Sequence, residues 1–498
     1  MSDLLTPGDL VPVSEASTLP RVGSFPRYER GNLGCGIVHL GAGNFHRSHQ
    51  ALFVQEYLQE RAEDWMIHGV SCLDSDIDFV RAMNGQDNVY TLTERSLARD
   101  SIKVIGSIRH LSHAPTAPDE VARALASPTT RIVSLTVSEK GYCYDSAGDL
   151  EVEHPMIRAD LSGSPPVSVL GHLFGAAAQR RASGGPPFTV ASCDNLPGNG
   201  DMTRRLVVQF AELRDPRVAR WIGENIAFPN SMVDRITPAV TDRTLAFVRE
   251  TFGIDDRCPV VSESYLKWVV EDRFINGRPA LENVGVQFTE AVEPYEQLKV
   301  RLLNGSHSAL SYAAYLMGFR HVDLAMANAG VRGFVRCYMV DDITPTIPPV
   351  GGIDIADYRT TLVERFGNPA IRDQVQRLAM DGSQKIRNAI VPPLEHQLAS
   401  GGSIRWIAFA LAAWYRYLQG MDENGEEIEI IDPMRDVLMA RARSAPDEPS
   451  HLLSVREIFG AHVSANQRIA EAVRECLDDI RTLGTGAALS KMLASEPV

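Results

Sequence analysis

The stretch GIVHLGAGNFHRSHQALFVQEYLQE, residues 36–60, constrains the fold more than any other in the chain. Gly36 to Leu40 read as a buried strand, Gly41 and Gly43 make a tight turn, and a helix is expected from about His46. A strand that passes through two glycines into a helix is how a dinucleotide-binding sheet begins. Glycine lets the backbone approach a pyrophosphate, and the amides at the helix start present the favourable end of its dipole. Gly41, Gly43, Asn44, Phe45 and Arg47 are therefore candidate cofactor contacts, with Arg47 adding positive charge. The fingerprint departs from G-x-G-x-x-G where His46 replaces the third glycine, so a strand-to-helix turn that binds nothing fits the segment equally well.

A second strand is expected over Trp65 to Leu73, followed by Asp74, Ser75 and Asp76. An acid at this point hydrogen-bonds ribose hydroxyls and repels a 2′-phosphate, so Asp76 favours NAD over NADP. Further buried strands are expected over Arg131 to Val137, Phe188 to Cys193 and Pro259 to Ser262, with helices such as Asp119 to Ala126 between them. That alternation predicts an α/β fold with a mostly parallel sheet. Open sheets of this kind hold ligands at the carboxyl ends of their strands, where Glu139, Asp194 and Asn195 fall. Asn195 is a candidate oxyanion donor or a turn residue of DNLPGNG, and Glu139 a ligand contact or a helix cap.

From about Tyr295 the texture changes to amphipathic helices, expected at Lys299 to Gly318, Asp357 to Phe366, Ile371 to Met380, Ile404 to Gln419 and Ala465 to Leu483. The expected division is a Rossmann-type nucleotide-binding domain over 1–290 and a mostly helical substrate-binding domain over 291–498. Within the first of these helices, about 100° per residue places Lys299, Asn304 and His307 at roughly 0°, 140° and 80°. A lysine among Leu302, Leu303, Ala309 and Leu310 loses hydration, which favours its neutral form and suits a general base. Asn304 and His307 are helix neighbours able to donate to an oxygen on which charge develops. A core helix with a snorkelling lysine has the same spacing.

The net charge of −14, with no concentration of Lys and Arg, argues against nucleic acid or an anionic membrane as partner. A small molecule is the expected partner. Seven scattered cysteines without a C-x-x-C pair fit a reducing cytoplasm. The opening MSDLLTPGDLVPVSEASTLPR lacks the basic and apolar regions of a signal peptide, and Trp406 to Tyr415 is too short to span a bilayer. No tetrahedral metal set is evident, His46 and His49 being placed in the glycine turn.

Seven ordered blocks make the chain resemble the long-chain polyol dehydrogenases, the mannitol 2-dehydrogenase and fructuronate reductase family. They are GAGNFHRSHQA (41–51), SLTVSEKGYC (134–143), SCDNLPGNG (192–200), FPNSMVDRITP (228–238), EDRFINGRP (271–279), KVRLLNGSH (299–307) and DGSQK (381–385). The resemblance implies metal-independent, NAD-linked oxidation of a polyol to a ketose, as in D-mannitol to D-fructose. Lys299 would be the base, Asn195 and Asn304 the oxyanion donors, and His307 the residue that orients substrate. It further implies that Asp234, Arg377 and Lys385 contact substrate hydroxyls and that Glu296 gates proton exchange with water, Glu139 assisting. The family includes monomers. The block DGSQK and the later EIIDPM also resemble uronate reductases, which keeps D-mannonate and D-fructuronate open as the substrate pair. Tyr295 and Lys299 share the Y-x-x-x-K spacing of short-chain dehydrogenases, but that family's TGxxxGxG turn is absent. A non-catalytic NAD sensor is the reading from another class; it would not need the Lys299, Asn304 and His307 set.

Overall fold

The computed structural model describes residues 10–19, 22–96, 99–145, 147–163 and 165–495. Residues 1–9, the start of the segment expected not to be a leader, lie outside them. The chain divides into two compact units, Met1–Glu293 and Pro294–Val498. Among the described residues no helix is long and apolar enough to cross a membrane.

Unit 1 is built on five parallel strands: β1 (Cys35–Leu40), β2 (Met66–Ser71), β3 (Ile108–His113), β4 (Ile132–Leu135) and β5 (Thr189–Ser192). Their spatial order is β3-β2-β1-β4-β5, five strands of the doubly wound nucleotide-binding order. Both faces are covered. Ile37, Ile67, Ile132 and Ala191 join one core with the helix Gln50–Glu60, while Val38, Val70, Val133 and Val190 join another with the helices Val169–Ser183 and Asn199–Arg214. Burial on both sides is why these strands read as continuous apolar runs.

The segment expected as a further parallel strand at Pro259 to Ser262 forms Val260–Glu263 in a separate four-stranded mixed sheet, beside Tyr90–Arg95, Ser101–Ile105 and Val22–Ser24. A three-stranded sheet joins Ser231–Asp234, Lys267–Glu271 and Gln287–Thr289.

Unit 2 is helical. Its centre is the wholly buried helix Gly305–Leu316, packed on Arg405–Tyr417, which in turn packs on Gln467–Leu483. The expected helix at Ile371 to Met380 shrinks to Val375–Ala379, because Gln374 leaves the helix to bridge His321. The expected continuous helix Lys299 to Gly318 also differs. An α-helix over Glu293–Leu298 widens into a π-helical turn over Lys299–Asn304 before the α-helix resumes at Gly305.

Candidate active site

In unit 1 the candidate residues collect at the carboxyl edge of the parallel sheet. β1 runs into Gly41, whose φ of +92° suits glycine. A Cβ there would lie 2.1 Å from the Thr136 carbonyl oxygen. The Gly41 amide donates to the Val70 carbonyl at 2.8 Å, and the Gly43 amide to the Gly41 carbonyl at 2.7 Å.

Side chains from the strands lock this turn. His39 lies 2.8 Å from both Ser134 Oγ and Thr136 Oγ1, and Thr136 Oγ1 donates to the Gly41 carbonyl at 2.7 Å. Burial pushes the His39 imidazole down to about 3, so it carries one proton. Because the Thr136 hydrogen is committed to Gly41, that proton sits on Nε2, and Nδ1 accepts from Ser134. His46, in place of the third glycine, is buried and stacks on His39 with ring centroids 3.4 Å apart. The helix expected from His46 starts at Asn44 and breaks at His49 before continuing over Gln50–Glu60.

Arg47 turns inward. It donates to the Cys258 carbonyl at 2.5 Å and to Asn44 Oδ1 at 2.6 Å, with Phe79 and Tyr90 beneath its guanidinium. The positive charge expected at the turn is held inside the unit, and the Asn44 side chain is engaged with it. Phe45 stacks on His49 at 5.0 Å. Asp76 lies half-buried in a short turn just past β2.

β5 runs into Asp194, which accepts from the Val137 amide at 3.0 Å, the Ser138 amide at 2.8 Å and the Tyr142 hydroxyl at 2.7 Å. Burial pushes this carboxyl up from the usual carboxylate range. The contacts fix the corner after β4, where Ser138 has φ +61° and exposed Glu139 opens a 3-10 turn. Asn195, next along the chain, is exposed.

Asn199 is the residue that sequence reasoning missed. Its Nδ2 donates to the Asp194 carbonyl at 3.0 Å and the Ser231 carbonyl at 2.8 Å, while its Oδ1 accepts from the Ser231 amide at 2.9 Å. It staples the corner bearing Asn195 to the strand that ends in buried Asp234. No spacing rule marks it, because its partner strand lies 32 residues away. Arg235, also buried, anchors the far end of that strand on Glu94 and on the Ser48 and Glu263 carbonyls.

In unit 2, Lys299 and His307 are buried, each 8% exposed. Asn304 Oδ1 and His307 Nε2 are buried without a hydrogen-bond partner, which leaves both free to meet a ligand. Burial pushes His307 down to about 3, with the charges of Asp373, Arg377, Arg365 and Lys385 close enough to act on it. Its ring lies on Phe366 at 4.1 Å. Arg377 is gripped by the Asp373 carboxylate through two nitrogens, Nε at 2.7 Å. Lys385 Nζ donates to the Arg377 and Leu378 carbonyls at 3.2 and 3.1 Å. Lys299, Asn304 and Glu296 lie on one stretch of helix, Glu296 one turn before the lysine. The Tyr295 hydroxyl donates to the Gly351 carbonyl at 2.9 Å.

Two family patterns cover most of the chain: the mannitol dehydrogenase Rossmann domain over residues 35–283 and the mannitol dehydrogenase C-terminal domain over 291–481. A mannitol 2-dehydrogenase of Aspergillus fumigatus is 42% identical over 477 residues, covering 94% of this chain and 95% of that one. The chain belongs to the mannitol dehydrogenase family. Another relative, the mannitol 2-dehydrogenase of Neosartorya fischeri, is 41% identical with the same coverage. Among solved structures, the Pseudomonas fluorescens mannitol 2-dehydrogenase ternary complex with NAD and D-mannitol is similar at TM-score 0.88. It is 40% identical and covers 98% of this chain and 100% of that one. A D-sorbitol dehydrogenase in substrate-free form also matches at TM-score 0.88, with 34% identity over 95% of this chain and 98% of that one.

Proposed function

We propose that this protein is an NAD-dependent polyol dehydrogenase that oxidises the C2 hydroxyl of D-mannitol to the ketone of D-fructose and catalyses the reverse reduction. The observation that carries this reading is the similarity, along nearly the full length of both chains, to mannitol 2-dehydrogenases, one of them solved with NAD and D-mannitol bound.

The residues proposed to hold NAD lie in unit 1. The glycine turn brings bare backbone to the sheet edge, and a Cβ on Gly43 would meet nothing closer than 3.9 Å, which leaves room for a pyrophosphate. Asp76 past β2 suits the ribose hydroxyls. Gly41, Gly43, Asn44, Phe45 and Asp76 are its proposed contacts; Arg47 would contribute through Asn44, and Glu139 from the corner after β4. Bound NAD supplies the hydride acceptor.

The chain's own residues handle the proton and the oxygen. Lys299 takes the proton from the C2 hydroxyl. Asn195 and Asn304 donate to the oxygen as charge grows on it, each contributing about 3 kcal/mol in the transition state. His307, kept neutral by burial, orients the substrate through an uncharged hydrogen bond. Asp234, Arg377 and Lys385 contact the remaining hydroxyls, the guanidinium held in place by Asp373. Glu296 passes the proton from Lys299 to water. In this division of labour unit 1 holds the nucleotide and unit 2 carries the base.

The test is NAD reduction followed by absorbance with D-mannitol, D-sorbitol, D-arabinitol and D-mannonate. D-Mannitol is expected to give the highest kcat/KM, and Lys299→Ala to lower it by about 10³-fold with NAD affinity retained. A wild type that binds NAD but oxidises none of the four, or one that prefers D-mannonate, overturns the reading.

A further inference from the structure

The Lys299–Asn304 turn is one of three π-helical turns among the described residues of unit 2, the others being Tyr338–Ile343 and Ile386–Ile390. Such turns are rare and concentrate at functional sites. Here the second and third both pack against the first. The point where they meet is Gly305. A Cβ on it would lie 2.8 Å from the Tyr338 hydroxyl, 3.3 Å from the Ala389 carbonyl and 3.7 Å from the Val300 carbonyl. Tyr338 opens the second π turn and Ala389 lies within the third, so each contributes one wall of this contact. The Tyr338 hydroxyl is fully buried and has no hydrogen-bond partner. An orphaned hydroxyl in the core is costly, so its place against Gly305 calls for an explanation beyond packing.

The angular arithmetic of the helix provides one. Lys299 and Asn304 are five residues apart. In an α-helix they stand about 140° from each other, on different faces. A π turn has i→i+5 bonds and closes that angle to roughly 50°. The α-helix resuming at Gly305 then brings His307 round to within about 10° of Lys299. The widened turn thus gathers the three groups into one sector of the helix, which an unbroken α-helix would not do.

We propose that Gly305 and Tyr338 are positioning residues of the proton-transfer site, holding the Lys299–Asn304 turn in its π register. This rests on the proposed role of Lys299 and Asn304. Three π turns pressed together at one glycine leave the first of them no room to tighten. Lys385, which immediately precedes the third turn, is tied to the same junction.

The experiment compares Gly305→Ala, Tyr338→Phe and the double variant, all as full-length protein with NAD bound. The added methyl in Gly305→Ala is expected to displace the turn and lower kcat about 10²-fold, the cost of misplacing reacting groups by about 1 Å. It should also move the acid limb of the kcat/KM pH profile, which a merely destabilising change would leave in place. Tyr338→Phe, which removes the atom at 2.8 Å, is expected to cost about threefold alone and to return at least about tenfold to Gly305→Ala.

Hydrogen exchange of the amides of residues 299–305 gives a readout independent of turnover. It should quicken in Gly305→Ala and slow again in the double variant. Tyr338→Leu, which empties the pocket while keeping Gly305, should also quicken it and covers the case in which the alanine variant does not fold. Equal losses for Gly305→Ala with and without the tyrosine hydroxyl, or wild-type exchange in both Gly305→Ala and Tyr338→Leu, overturn the proposal. A wild type that oxidises no polyol defeats the proposed activity instead, and the exchange measurements still decide the register.

Discussion

Replacing Asn199 by Ala tests whether the carboxyl edge of the sheet depends on one buried amide. The change removes three hydrogen bonds of 3.0 Å or less, two donated to the Asp194 and Ser231 carbonyls and one accepted from the Ser231 amide, besides a long contact of 3.5 Å to the Ser231 hydroxyl. At about 1 kcal/mol each the loss is about 3 kcal/mol, rising if the stranded backbone groups find no water. In urea unfolding of the full chain, the transition reporting on unit 1 should move down by about 1 M. Catalysis should suffer separately. Freed from Ser231, the corner bearing Asn195 loses its tie to the strand bearing Asp234. With NAD saturating, kcat for D-mannitol should fall about 10²-fold. NAD affinity should stay within about threefold, because the glycine turn is held by His39 and Thr136 rather than by Asn199. Asn199→Asp separates the donors from the acceptor: it keeps the shape and the bond from the Ser231 amide but sets a carboxylate against two carbonyls, so it should be at least as harmful as the alanine. An alanine variant with wild-type urea midpoint and kinetics would refute the reasoning, as would one whose NAD affinity falls in step with kcat.

His39→Ala should show the opposite pattern, weakening NAD binding about tenfold by releasing Thr136 from the Gly41 carbonyl while leaving KM for polyol at saturating NAD near wild type; titration calorimetry with NAD checks it. The His307 imidazole, pushed down to about 3 by burial, should show no titration between pH 5 and pH 9 in NMR of its ring protons, roughly a range in which an ordinary histidine would change charge. Acid should unfold the protein early. His39 and His307 are held near 3, and His68 and His172 near 4, against about 6.5 in the unfolded chain. Unfolding therefore takes up protons between those limits, and the stability present above pH 6.5 drains away as pH falls, by about 2 kcal/mol per histidine at pH 5. Urea midpoints that do not fall between pH 7 and pH 5 would contradict this.

The parallel sheet was legible because strands buried on both faces leave no polar gap in the sequence. β1, β2, β4 and β5 were each anticipated to within a few residues. β3 was not, since IRHLSH sits at the edge of the sheet and carries Arg109 and His110 toward solvent. Val260–Glu263 reads as a core strand but pairs elsewhere, for pairing depends on partners that periodicity does not name. Lys299, Asn304 and His307 are expected from residue type and spacing, yet the π turn over Lys299–Asn304 is not. α and π turns draw on the same apolar residues, and the choice is made at Gly305 by Tyr338 and Ala389, distant in sequence. The setting of Arg47 is hidden for a related reason: the sequence places a guanidinium beside a phosphate-type turn but does not name Cys258 and Asn44, which accept its hydrogen bonds.

A π turn is, bond for bond, an ordinary helix carrying one surplus amino acid. It follows that Val300 to Leu303 tolerate substitution better than a change of number. Deleting any one of them would let the segment close into a regular coil with its apolar contacts largely kept, giving a folded protein whose lysine and asparagine look in different directions. Insertions and deletions, more than replacements, are then the changes by which this segment would gain or lose its chemistry in the course of descent.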